Sequence, residues 1–184
     1  HTDLAVKHNT KLILGTTGHN ENQLATINEA AKNIAIVKAM NFSVGINILL
    51  KLTQDIAATL DESFDIEILE MHHKHKVDAP SGTAIGLGEA AAAGRKTALS
   101  KIAKWYRNGI TGERKSGEIG FASLRGGKVV GEHSIIFAGE SERIELGHIA
   151  YSRELFAKGA IRAAIWSENK TNGLYDMMDV LEIR

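Results

Sequence analysis

Two apolar runs too short to be helices, KLIL at 11–14 and IAIVKA at 34–39, bracket a segment with Leu24, Ile27, Ala30 and Ala31 at helical spacing. Strand, helix and strand joined by short connections make the βαβ signature of a parallel sheet. The first run ends in Gly15-Thr16-Thr17-Gly18, a tight turn at the strand end. The opening third of the chain is therefore read as part of a parallel α/β domain.

The pattern then changes. Ser43 predicts the N-cap of a helix over 44–60 with Val44, Ile48, Leu49, Leu52 and Ile56 on its apolar face. DIEILEM at 65–71 reads as a strand with Ile66 and Ile68 on one face, and residues 81–93 as a helix rich in Ala and Gly. Three strand-like runs follow from 117: EIGFASL, KVVGEHSIIFA and ERIELGHIA. The turn-forming Gly126-Gly127 and Gly139-Glu140-Ser141 between them predict an antiparallel meander. The end returns to helix, with Phe156, Ala160, Ile161, Ala164 and Ile165 on one face, then a polar break at 167–173 and LYDMMDVLEI in a helical tail. The expected class is a partial parallel α/β domain interrupted by an α+β domain whose sheet is antiparallel or mixed.

Composition narrows the function. With 184 residues the chain can bury a core. Its 22 basic and 22 acidic residues balance, and no basic stripe marks a nucleic-acid binder. INILLKL at 46–52 is far too short to span a bilayer, so no membrane partner is expected. The lack of cysteine excludes disulfides and thiolate metal sites and fits the cytoplasm. The chain opens on His1, within what reads as a helix, and its natural N terminus is expected to lie further upstream.

Chemistry concentrates in His72-His73-Lys74-His75-Lys76-Val77-Asp78-Ala79-Pro80-Ser81-Gly82-Thr83-Ala84, between a strand end and a helix start. Three imidazoles and two ammonium groups face a helix opening whose hydroxyls and backbone N–H groups suit a carboxylate or phosphate. Such a site fits a small, doubly negative substrate. Histidine exchanges protons near neutral pH, and lysine stabilises developing negative charge. A metal site is disfavoured, because the lysines repel a cation and no carboxylate stands among the histidines. Gly15-Thr16-Thr17-Gly18 would also suit an ordinary βα turn, and Asn41-Phe42-Ser43 a helix cap with a buried Phe.

These segments, with KLILGTTGHNENQ, NFSVGINILLKL, TGERKSGEIGFASLRGGKVVGEHSIIFAGESERIEL and NGLYDMMDVL, resemble in order and spacing the dihydrodipicolinate reductase family. HHKHKVDAPSGTA carries the specific part of the likeness. The resemblance implies a Rossmann-type nucleotide domain (1–43 and 153–184) interrupted by a substrate-binding and tetramerisation domain (44–152). It implies reduction of a cyclic dicarboxylate with NADH or NADPH in lysine and diaminopimelate synthesis, by a homotetramer. His72 would be the general acid/base and Lys76 its partner. His73, Lys76, Ser81, Gly82 and Thr83 would hold the carboxylates. Gly15, Thr16, Thr17, Ala39, Met40, Asn41, Phe42 and Arg153 would lie along the cofactor.

The family's glycine-rich phosphate turn and its cofactor-discriminating residue are not in the chain, so this stretch alone is expected to be inactive. His19 replaces an aromatic, Ile110 a histidine, and Gly147 and Ile149 a Thr and a Lys of the family pattern. The rival readings are a non-catalytic binding or assembly module and another two-domain reductase of aspartate-derived metabolites.

Overall fold

The computed structural model describes residues 1–184. They divide into two compact units, His1–Asn47 with Arg153–Arg184, and Ile48–Ser152. The first unit opens with helix α1 (Thr2–Lys7), strand β1 (Leu12–Leu14), helix α2 (Glu21–Ala30) and strand β2 (Ala35–Lys38). Asn20 starts α2 with a reciprocal capping box. Its side chain accepts from Gln23 N, and the Gln23 side chain accepts from Asn20 N, both at 2.9 Å. β1 and β2 pair in parallel, as the strand–helix–strand pattern requires.

Helix α3 (Val44–Thr59) begins in the first unit and continues into the second, with the Ser43 hydroxyl accepting from Ile46 N at 3.2 Å. Its buried stripe is Ile46, Leu49, Thr53 and Ala57, whereas Ile48 and Leu52 are exposed. The face read from the sequence is thus rotated. α3 carries more apolar residues than one face can hold, and local spacing does not say which of them the core takes.

The second unit adds strand β3 (Asp65–His72), helix α4 (Gly82–Gly94), helix α5 (Leu99–Ile102) and strands β4 (Ala103–Lys104), β5 (Ile119–Arg125), β6 (Gly131–Ala138) and β7 (Arg143–Ala150). The sheet order is β4-β5-β3-β6-β7. This corrects the expected meander. Only β6 and β7 form a hairpin, while β5 runs parallel to β3 and β3 lies between β5 and β6. Gly126-Gly127 is not a hairpin turn but an arch over the end of β3, with Gly126 N donating to His72 O at 2.9 Å. Nearness in sequence favoured pairing β5 with β6, but β3 places the buried Ile66 and Ile68 between Ile119 and Phe121 of β5 and Phe137 and Ile135 of β6. Leu49, Ala57, Leu87, Ala91 and Ala92 of α3 and α4 cover one sheet face, meeting Ile66, Ile68, Ile119, Phe121, Ile135 and Phe137.

Helix α6 (Glu154–Ser167), strand β8 (Gly173–Tyr175) and helix α7 (Met177–Leu181) return to the first unit. β8 joins β2 in parallel, so Gly173–Tyr175 belongs to the sheet, not to a helical tail. α6 buries Gly159, Ala163 and Ser167 and leaves Ile161 and Ile165 exposed, the reverse of the expected face. The reason is close approach: a Cβ on Gly159 would stand 1.7 Å from the Phe42 carbonyl oxygen. A small-residue face lets the backbones touch where isoleucines could not fit. No helix is long and apolar enough to cross a membrane.

Candidate active site

The site follows from alternation along β3. Side chains on a strand point alternately to its two faces, so Ile66, Ile68, Glu70 and His72 share the face under α3 and α4. The cross-strand register extends each of them into a row. Ile66 stands beside Ile119 and Phe137, Ile68 beside Phe121 and Ile135, Glu70 beside Ser123 and His133, and His72 beside Arg125. β7 continues the rows with Ile144, Leu146 and His148. Two apolar rows give way at the carboxyl end of β3 to two polar ones.

Glu70 is 1% exposed, and its carboxylate collects donors from three elements. Arg125 of β5 donates from Nη1 to Oε2 and from Nη2 to Oε1, each at 2.8 Å. His72 Nδ1 lies 2.5 Å from Oε2, and Ser81 N donates to Oε1 at 3.2 Å. Burial alone would raise this carboxyl, but hydrogen bonds from Arg125, His72 and Ser123 outweigh it and hold it down at about 2. It is ionised at neutral pH.

His133, 5% exposed, sets its ring edge-on to His72, with centroids 5.0 Å apart. Its Nε2 is 2.9 Å from Ser81 Oγ. Burial first, then the neighbouring His72, lower its pKa to about 4 against the pull of Glu70. Ser81 caps α4, its Oγ accepting from Ala84 N at 3.2 Å. The imidazole of His72 and the opening of α4 are therefore joined through two short bridges, one through Glu70 and one through His133.

The loop from 73 to 80 is tied to the end of β5. Arg125 Nη2 donates to Asp78 O at 2.7 Å, and Lys74 N donates to Gly127 O at 3.4 Å. The Ala79–Pro80 bond is cis. Lys76 Nζ donates to Asp78 Oδ1 at 2.8 Å, and its charge also disfavours protonation of His133. His73 is half-buried, its ring 6.2 Å from the exposed His75. Gly82 and Thr83 open α4, and a Cβ on Gly82 would meet open space.

The expected residues of this unit, His72, His73, Lys76, Ser81, Gly82 and Thr83, thus lie on one continuous strand end, loop and helix opening. Sequence reasoning missed Glu70, Arg125 and His133. Glu70 was detectable, since it continues the inward series Ile66, Ile68, and a carboxylate on a buried face needs partners. The fold brings this carboxylate from outside the histidine tract against His72, with Arg125 on both its oxygens. Gly147 and Ile149 point to the opposite sheet face from His133 and His148, and Ile110 is fully exposed.

In the first unit, Gly15, Thr16 and Thr17 leave the carboxyl end of β1 and are exposed. The loop Ala39, Met40, Asn41 and Phe42 leaves β2 beside them, with Ala39 N donating to Leu14 O at 3.1 Å. A Cβ on Gly15 would come 3.2 Å from the Phe42 ring. Paired loops at the carboxyl ends of parallel strands are where open α/β sheets receive nucleotides, so these residues fit such a group. Arg153 is exposed just before α6.

Comparisons agree over the whole chain. The family model described as dihydrodipicolinate reductase, N-terminus matches residues 1–42, and the one described as dihydrodipicolinate reductase, C-terminus matches residues 45–181. The 4-hydroxy-tetrahydrodipicolinate reductase of Dinoroseobacter shibae is 54% identical over 98% of this chain and 67% of that protein. The one from Agrobacterium fabrum is 56% identical over 92% of this chain and 62% of its own length. The chain thus spans about two thirds of the curated relatives it matches. A solved structure of dipicolinate-bound dihydrodipicolinate reductase from Paenisporosarcina sp. TG-14 matches with a TM-score of 0.76 at 28% identity, over 100% of this chain and 68% of that one. With both halves of the family pattern matched in order and relatives above 50% identity along its length, the chain belongs to the dihydrodipicolinate reductase family.

Proposed function

We propose that the chain is the larger part of a cytoplasmic reductase that converts the dihydrodipicolinate formed from 4-hydroxy-tetrahydrodipicolinate to tetrahydrodipicolinate, in lysine and diaminopimelate synthesis. The observation that carries this reading is the convergence of His72 with the Ser81-capped opening of α4. A partly buried proton-exchanging group beside an anion-binding helix start suits a small dicarboxylate that must gain a proton. Residues 44–152 would form the substrate-binding and tetramerisation domain, and the rest the nucleotide domain.

In this reading His73, Lys76, Ser81, Gly82 and Thr83 hold the carboxylates. Lys76 is drawn from Asp78 to the substrate, an exchange that costs little because the pair is partly exposed. His72 gives the proton, with Lys76 supporting it. Gly15, Thr16, Thr17, Ala39, Met40, Asn41, Phe42 and Arg153 would hold NADH or NADPH, whose nicotinamide supplies a hydride. A homotetramer is supported by the outer sheet face, which carries the exposed Leu69, Leu124 and Ile149.

The test is oxidation of NADH or NADPH by the complete enzyme, with and without the aldolase-derived substrate. Turnover only with substrate supports the reading, and none with either nucleotide overturns it. Calorimetry with pyridine-2,6-dicarboxylate separates the enzyme from a binding or assembly module. Binding lost in Lys76→Ala and Thr83→Val supports the site, and no binding to the unsubstituted protein favours the module.

A further inference from the structure

We propose that Glu70, gripped by Arg125, is the positioning residue for His72: it holds the imidazole with Nδ1–H on the carboxylate and leaves Nε2 as the atom that exchanges a proton with the substrate. The inference rests on the reductase reading and adds to it the atom and the residue that selects that atom.

The cluster calls for a reason beyond stability. The rows Ile66-Ile119-Phe137 and Ile68-Phe121-Ile135 show that this sheet face accommodates apolar side chains. Burying an ion pair in place of such residues brings little net stabilisation. Yet the next row carries a buried carboxylate with a bidentate guanidinium and further donors from His72 and Ser81. An ionised carboxylate only accepts, so the 2.5 Å contact requires the proton on His72 Nδ1. That is opposite to the tautomer a neutral imidazole favours in water.

The remaining contacts agree. His133 has its Nε2 engaged by Ser81, so it does not compete for the proton of His72. Gly131 of β6 faces His72 Nε2, where a Cβ would stand 3.0 Å away, so the absence of a side chain there keeps that atom from being crowded. Arg125 holds both oxygens of Glu70, and Ser81 N fixes one of them to the opening of α4. The imidazole is thereby oriented relative to the helix start that receives the carboxylates. In the proton step the Nε2–H bond of the imidazolium breaks, and its electron pair stays on nitrogen. A C–H bond forms with an electron pair from the hydride-reduced substrate. The imidazole ends neutral with Nδ1–H intact, and Glu70 and Arg125 keep their charges.

The test is the tautomer of neutral His72, read from long-range proton–nitrogen correlations in histidine-labelled protein and assigned by the signals lost in His72→Gln. The wild type is expected to carry the proton on Nδ1. Glu70→Gln should shift it toward Nε2, whereas Arg125→Lys, which keeps the carboxylate, should retain the wild-type form. In the complete enzyme Glu70→Gln should lower kcat roughly 10- to 100-fold with KM within about threefold, the signature of a lost orienting group. A wild-type His72 with its proton on Nε2, or a folded Glu70→Gln with unchanged signals, overturns the proposal. The tautomer is read without turnover, so it fails separately from the reductase reading.

Discussion

Acidification should unlock the second unit at His133 before it reaches any carboxylate of the site. His133 is 5% exposed, and burial together with His72 lowers its pKa from 6.5 to about 4. Its folded value lies below its unfolded one, so the unfolded chain binds the extra proton first, and stability falls as pH drops from about 6.5 to about 4. Between pH 7 and pH 5 the linkage relation gives a loss of about 2 kcal/mol from this group alone. His148, also lowered by burial, adds to the same direction. Glu70 contributes later. Its depressed pKa stabilises the fold above about 4.5, and that contribution disappears as pH falls toward about 2. The assay is urea unfolding at pH 7 and pH 5 for the wild type and His133→Gln, whose amide can still meet Ser81. The variant should lose about 2 kcal/mol less than the wild type over that interval. Equal losses in the two proteins would refute the assignment, as would a wild type whose stability is flat between the two pH values.

Three further outcomes follow from particular contacts. Gly131→Ala would place a methyl 3.0 Å from His72 Nε2 and should lower kcat of the proposed reaction roughly tenfold while leaving the folded circular dichroism unchanged; wild-type kcat would remove Gly131 from the site. Gly159→Ala should destabilise by about 1–3 kcal/mol although alanine is the better helix former, because its methyl would overlap the Phe42 carbonyl; a raised melting temperature would contradict that packing. Asn20→Ala should cost about 1 kcal/mol through loss of the α2 capping box, measured by urea unfolding, and no change would show the cap to be unimportant.

The local patterns were legible in the sequence because they depend on neighbours along the chain. The parallel pairing of β1 and β2 follows from two short apolar runs around one helix, and the cap at Ser43 from a polar side chain meeting the first free amides, whereas the caps at Asn20 and Ser81 emerged only in the structure. The stretch from His72 to Thr83 announced its chemistry by composition and by its place between a strand and a helix.

What the sequence could not decide was which of several apolar faces would be buried and which strands would be neighbours. α3 and α6 each offer more than one apolar stripe, and only contact with the sheets or with the Phe42 backbone selects one. The insertion of β3 between β5 and β6 is a choice among long-range pairings that no local signal encodes. That choice brings Arg125 and His133, 55 and 63 residues beyond Glu70, to its two sides. Residue types at 72–83 thus set what chemistry is available, while the strand order determines which charges meet the histidine, because burial and proximity are properties of the folded sheet.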